Sequence, residues 1–174
     1  MKKLLVLSFA LLVCTFAQAQ DKKAPSPASM LKQTVGLTEV TVEYSRPGVK
    51  GRTIFAKDGL VPFGQEWRTG ANSATKITFS DDVTIQGKEL AAGTYAITTV
   101  PEMDKWTLHF HKYTEARWST YKGKAPALAV TSMPVKMSES VENFMIAIDG
   151  LTDTSAELGI LWANTYVPLA LGVK

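Results

Sequence analysis

The sequence predicts an all-β fold, an antiparallel β-sandwich of jelly-roll-like form with about nine strands and one long ordered loop at residues 47–74. Three observations lead there. Apolar and polar residues alternate with period two along most of the chain from residue 30 onward. Turn signals rich in Gly, Pro and Asp separate these runs at spacings of roughly 8 to 15 residues. Residues 113–121, YTEARWSTY, are the one stretch that suits even a single helical turn.

The N-terminus has a different character. MKKLLVLSFALLVCTFAQAQ combines Lys2 and Lys3, an apolar run from Leu4 to Phe16, and Ala17-Gln18-Ala19 with small residues where a signal peptidase requires them. The apolar run is shorter than the ~20 residues that span a hydrocarbon core. Cleavage after Ala19 is therefore expected, and Val13 before Cys14 does not suit a lipoprotein site. The domain expectation is a signal peptide at 1–19, a flexible leader at 20–27 (QDKKAPSP) and a single β-sandwich domain at 28–174. The product would be exported, periplasmic or extracellular, with no integral membrane segment after cleavage.

Cleavage also alters the balance of charge. Of 19 Lys and Arg residues, Lys2 and Lys3 leave with the signal, and 17 remain against 16 Asp and Glu, a net of +1. Nucleic acids and anionic membranes call for a basic face, so neither is expected as a partner. The single Cys lies in the signal, which leaves no disulfide and no thiol chemistry, so stability must come from the core.

The strands follow in order. Leu31, Gln33 and Val35 alternate with Met30, Lys32 and Thr34, and Gly36 turns the chain into LTEVTVEYS, where Val40, Val42 and Tyr44 share a face. This is a half-buried hairpin. TKITFS (75–80) ends at Asp81-Asp82, and VTI (83–85) runs into the Gln86-Gly87-Lys88 turn. TYAITTV (94–100) and WTLHFH (106–111) should pair as a hairpin. ALAVTSMPVKM (127–137), VENFMIAI (141–148), AELGILWA (156–163) and YVPLALGV (166–173) complete the set. Pro168 lacks an N–H, which assigns the last strand to an edge or a bulge.

Residues 47–74 break the alternation with Pro47-Gly48, Gly51, Asp58-Gly59, Pro62, Gly64 and Gly70. They also carry Ile54, Phe55, Leu60, Val61, Phe63 and Trp67, too much apolar surface for disorder. An ordered excursion packed on the sandwich is expected.

YSRPGVKGRTIF, LVPFGQEWRTGANSATKITFS, GKELAAGTYAI and DTSAELGILWANTYVPL together resemble a family of secreted bacterial domains of unknown function. Its signature is S-R-P-x-x-K-G-R, then W-R-T-G-A-N, then A-G-T-Y, and the resemblance covers almost all of residues 20–174. It implies an exported β-sandwich domain and supplies no catalytic residues.

Two constellations could carry chemistry. Arg46, Arg52 and Arg68, with Lys50, Asn72 and Trp67, could converge on a carboxylate, phosphate, sulfate or acidic sugar, since guanidinium forks bind planar oxyanions. Alternatively, each arginine pairs with Glu39, Glu43 or Glu66 and satisfies loop carbonyls. The second constellation is His109 and His111, the only histidines, two apart and on one strand face, with Glu115 nearby. That spacing is similar to the metal motif of cupin-type barrels. Met103 stands where the cupin motif opens with glycine, and no third His completes a three-His set. Trp106 and Trp162 are on core phase; Trp67 and Trp118, in irregular segments, are the better candidates for contacting a ligand.

The expectation is an exported envelope binding or accessory domain, non-enzymatic, taking a small ligand, a glycan or an envelope protein as partner. No cofactor is predicted beyond the divalent metal that His109, His111 and Glu115 would hold. The alternatives are a cupin-like metal-dependent enzyme using the His-x-His strand, and a structural protein-interaction module.

Overall fold

Alternation along LTEVTVEYS puts Val40, Val42 and Tyr44 on one face, and in the computed structural model, which describes residues 24–174, those three side chains are buried in the core. The signal-peptide reading of residues 1–19 and the first four residues of the leader lie outside the described residues. The rest of the leader is tied down: the Arg46 N–H donates to Pro27 O and the Asn72 side chain to Ser26 O.

A six-stranded antiparallel sheet forms one layer, in the order β1 (Ala28–Val35), β2 (Thr38–Ser45), β5 (Thr75–Phe79), β8 (Gly93–Pro101), β9 (Trp106–Lys112) and β10 (Leu128–Ser132). The second layer has the order β11 (Val135–Asp149), β12 (Ser155–Gly172), β6 (Val83–Ile85) and β7 (Lys88–Leu90). The all-β antiparallel sandwich read from the sequence is the architecture observed. The hairpins β1–β2, with Gly36 at φ 56° in its turn, and β8–β9 form as expected.

Three details differ from expectation. The run at 127–137 breaks at Met133-Pro134, and the chain then changes sheet from β10 to β11. The segments at 156–163 and 166–173 are one strand, β12, because Ala163 takes a left-handed conformation (φ 50°) and bends the strand without ending it. β12 is an interior strand, yet Pro168 costs no ladder hydrogen bond. The β11 pairing stops at Tyr166 and the β6 pairing starts at Leu171, so Pro168 falls between the two ladders. Within 113–121 the helical content is a 3-10 turn at Trp118–Thr120.

Residues 47–74 form the expected packed excursion, with a short parallel pair, β3 (Phe55–Ala56) and β4 (Val61–Pro62), that alternation could not reveal. Ile54, Val61 and Trp67 enter the main core, while Leu60 stays exposed. Phe55, Trp67, Trp106, Phe144 and Trp162 make a continuous aromatic cluster between the layers, including a Phe55–Trp106 contact at 4.7 Å and a Trp67–Phe144 contact at 5.3 Å. A second, smaller cluster lies apart from it: Ala74, Ala96 and Tyr121 are buried together, with Tyr113 and Trp118 against them. Since Ala96 points away from the main core, the segment around 113–123 covers the outer face of the six-stranded sheet. Among the described residues, no helix is long and apolar enough to cross a membrane.

Candidate functional site

The excursion is held by its own polar groups, and that arrangement decides where its cations end up. Trp67 exchanges backbone hydrogen bonds with Thr99 on β8, and its indole N–H donates to Gly70 O at 3.0 Å. Gly70 has φ 149°, and a Cβ there would sit 3.0 Å from Thr75 Oγ1 and 3.1 Å from Ser45 O. Lys50, Thr69 and Asn72 are non-glycine residues at φ 50°, 53° and 59°. For β-branched, fully buried Thr69 this backbone is costly, on the order of 1–3 kcal/mol. Its hydroxyl pairs with that of Thr99 and its carbonyl accepts from Thr75 Oγ1 at 2.6 Å, which hold it in place. Such left-handed, over-determined backbone concentrates at ligand sites.

The three arginines of this region take different roles. Arg46 Nε donates to Phe144 O at 2.9 Å, joining the excursion to β11, and Arg46 does not line the pocket described next. Arg52 folds back on its own turn, Nη2 to Gly48 O at 2.6 Å and Nε to Val49 O at 3.1 Å, and Nη1 makes no hydrogen bond among the described residues. Arg68 Nη1 donates to Asn72 O at 3.2 Å, and its guanidinium lies 4.9 Å from the centre of the Trp118 ring. Asn72 Nδ2 in turn holds Ser26 O and Ser45 Oγ. The partners are carbonyls. The carboxylates considered from the sequence are engaged elsewhere: Glu39 with Lys32, Glu43 with Lys76, and Glu66 with the histidine strand.

Lys50, Arg52, Arg68 and Asn72 open onto one pocket of about 380 Å³, floored by Trp67 and Trp162. Among the described residues, no Asp or Glu lines it. Among the described residues, no carboxylate oxygen lies within 4.0 Å of a side-chain nitrogen of Lys50, Arg52 or Arg68. Glu142 accepts the Lys50 backbone N–H at 3.0 Å without entering the lining. Three cations around one concavity, none in an ion pair among the described residues, favour a positive potential that attracts anions, and an oxyanion is the group their N–H donors can satisfy. Trp67 is an anchor within the core, only 9% exposed, that offers an edge to the pocket. Sequence reasoning missed Trp162 as a lining residue, because core phase on β12 gave no sign that one ring edge borders a pocket.

The second constellation is also rearranged. His109 and His111 share the face of β9 opposite Leu108 and Phe110, as their spacing requires, but that face is covered: His111 is 4% exposed. Glu115 points away from them, accepting from Thr120 Oγ1 at 2.7 Å and approaching Arg117 at 4.0 Å. The loop around 113–123 turns its side chain outward, so Glu115 is no partner of the histidines. Glu66 takes that place. Burial of the Glu66 carboxyl acts to raise its pKa. Hydrogen bonds from Thr98 and the Gly123 N–H, with the nearness of His109, outweigh this and hold it below the ordinary value. Burial lowers the pKa of His111, His109 adds to that, and Glu66 partly offsets it.

Residues 26–171 match the family described as a protein of unknown function, DUF2911. No curated protein and no solved structure matches the chain.

Proposed function

The chain belongs to the DUF2911 family, and from that premise we propose that it is an exported envelope binding or accessory domain that holds an oxyanion-bearing ligand in the pocket of Lys50, Arg52, Arg68 and Asn72. The ligand group is a carboxylate, phosphate or sulfate, free or carried on an acidic glycan. The observation that carries this reading is the charge of the pocket, three cations with no lining carboxylate among the described residues. Most of the lining comes from the SRPGVKGR and WRTGAN stretches that make this sequence resemble its family. Export rests on the signal-peptide character of residues 1–19 and on a chain that has no Cys beyond them.

Isothermal titration of the purified protein with inorganic phosphate, sulfate, glucuronate and a uronic-acid oligosaccharide tests the pocket. Saturable binding that weakens with salt and falls at least about tenfold in Arg68→Met and Lys50→Met, but not in Lys105→Met, is the expected result. Absence of saturable binding by all four probes, or equal affinities in every variant, refutes the reading. N-terminal sequencing of the exported protein should begin at Gln20.

A further inference from the structure

Glu66, in the excursion, meets His109 and His111, on β9, across a patch of the sheet's outer face. Glu66 Oε1 lies 3.6 Å from His109 Nδ1 and 4.0 Å from His111 Nε2, and one donor atom from each of the three residues falls within 4.8 Å of the others. Four-coordinate zinc with bonds of about 2.0–2.1 Å separates its ligands by roughly 3.4 Å. Side-chain adjustments of a few tenths of an ångström to about one ångström therefore bring these three atoms onto a common ion.

The surroundings favour an ion over a self-contained polar network. His109 Nδ1 is shielded from solvent and has no hydrogen-bond partner among the described residues. At 3.6 Å from Glu66 it is beyond hydrogen-bond reach. A buried ring nitrogen left in this state is costly unless something accepts its lone pair or proton. Around Glu66 the outer shell is already in place: Thr98 Oγ1 donates to Oε1 at 2.6 Å and the Gly123 N–H to Oε2 at 2.7 Å. Such contacts orient a ligating carboxylate. Thr98 Oγ1 also lies 3.1 Å from His111 Nε2, and the Tyr121 ring packs against the His111 ring at 5.7 Å. A cavity of about 170 Å³ is lined in part by Gln65, Glu66, Arg68 and Trp118, so Glu66 also borders open space.

We infer that Glu66, His109 and His111 form a binding site for one divalent transition-metal ion of the zinc type. Two imidazoles and a carboxylate are a donor set suited to Zn²⁺, Co²⁺ or Fe²⁺ and poorly suited to Ca²⁺ or Mg²⁺, which prefer all-oxygen sites. Three protein ligands leave at least one coordination position for water or another small ligand. None of the three proposed ligands lines the anion pocket, and the metal test stands or falls independently of anion binding.

The test uses the full purified chain, with any affinity tag removed, after treatment with a chelator. Zn²⁺ is titrated calorimetrically while imidazole nitrogen resonances are followed by NMR. The protein's only two histidines are His109 and His111, so their resonances report on the site in the unaltered chain. The expected result is one-to-one saturable binding that moves both imidazoles, is at least 100-fold weaker in Glu66→Gln and His109→Ala, and is unchanged in Glu115→Ala. Thr98→Val should weaken it about 10-fold or more, the effect of removing an orienting contact. Co²⁺ should give the visible absorption of a four- or five-coordinate ion. Absence of saturable binding, binding that leaves either imidazole unmoved, or Ca²⁺ competing on equal terms would overturn the inference. The wild-type NMR readout decides the matter even where a variant does not fold.

Discussion

Trp67 and Trp162 stack with ring centroids 5.7 Å apart and planes only 19° apart, although one comes from an irregular excursion and the other from an interior strand. The contact fastens the excursion to the four-stranded layer and forms the floor of the cationic pocket. Trp67→Ala should therefore cost about 3–5 kcal/mol, the range for emptying a large aromatic site in a core. Chemical denaturation monitored by circular dichroism measures this. Trp67→Phe should cost clearly less, because it retains most of the buried ring while losing the indole bond to Gly70.

Arg46 and Arg68 should separate in experiment. Arg46→Met removes the donor to Phe144 O and should destabilise the fold by about 1–3 kcal/mol. It should leave anion affinity nearly intact, since Arg46 does not line the pocket. Arg68→Met should do the reverse, changing stability by less than about 1 kcal/mol because its bond to Asn72 O is partly solvated. Thermal melts and titrations on the same two samples check both halves.

Gly70 should tolerate no side chain. At φ 149°, a methyl group on its Cα would sit 3.0 Å from Thr75 Oγ1 and 3.1 Å from Ser45 O, so Gly70→Ala combines backbone strain with crowding against backbone. A loss of about 2–4 kcal/mol is expected, as strain of 1–3 kcal/mol plus that crowding. Equilibrium unfolding in denaturant measures it. Gly51→Ala, with nothing within 4 Å, should cost less and is the matched control.

Tyr166 should make the protein sensitive to alkali. Its pKa is raised to about 12, by burial first and then by its hydrogen bond to Glu157 and the charges of Glu157 and Asp149. The neutral phenol is the form the fold prefers. Its contribution is fully present below the ordinary tyrosine value of about 10 and is lost as pH rises from there through about 12. Melting temperature should fall across that window in the wild type and fall less steeply in Tyr166→Phe.

Period two is a local property, so strands that alternate were readable residue by residue. Val40 and Val42 are buried where the pattern put them, and His109 and His111 share the face opposite Leu108 and Phe110. Strand ends were less legible where the backbone itself decided them. Ala163 at φ 50° lets β12 run on, and Met133-Pro134 moves the chain from one sheet to the other. Neither event changes hydropathy much, so neither left a periodic signal.

The sequence by itself determined the all-β class, the ordered excursion and the residue types able to hold an anion or a metal, because each depends on composition and near-neighbour pattern. Which of those residues meet was decided only by the tertiary structure. Glu115 is close to the histidines in sequence and turned away from them in space, whereas Glu66 is distant in sequence and arrives from the excursion. Lys50, Arg52 and Arg68 likewise share a pocket, while Arg46, in the same motif as the first two, is drawn off to the carbonyl of Phe144. The physical reason is the same in both cases. A buried polar group takes the partner that packing brings within about 3 Å, and packing across two layers is set by the burial of Trp67 against Trp162 and Phe144.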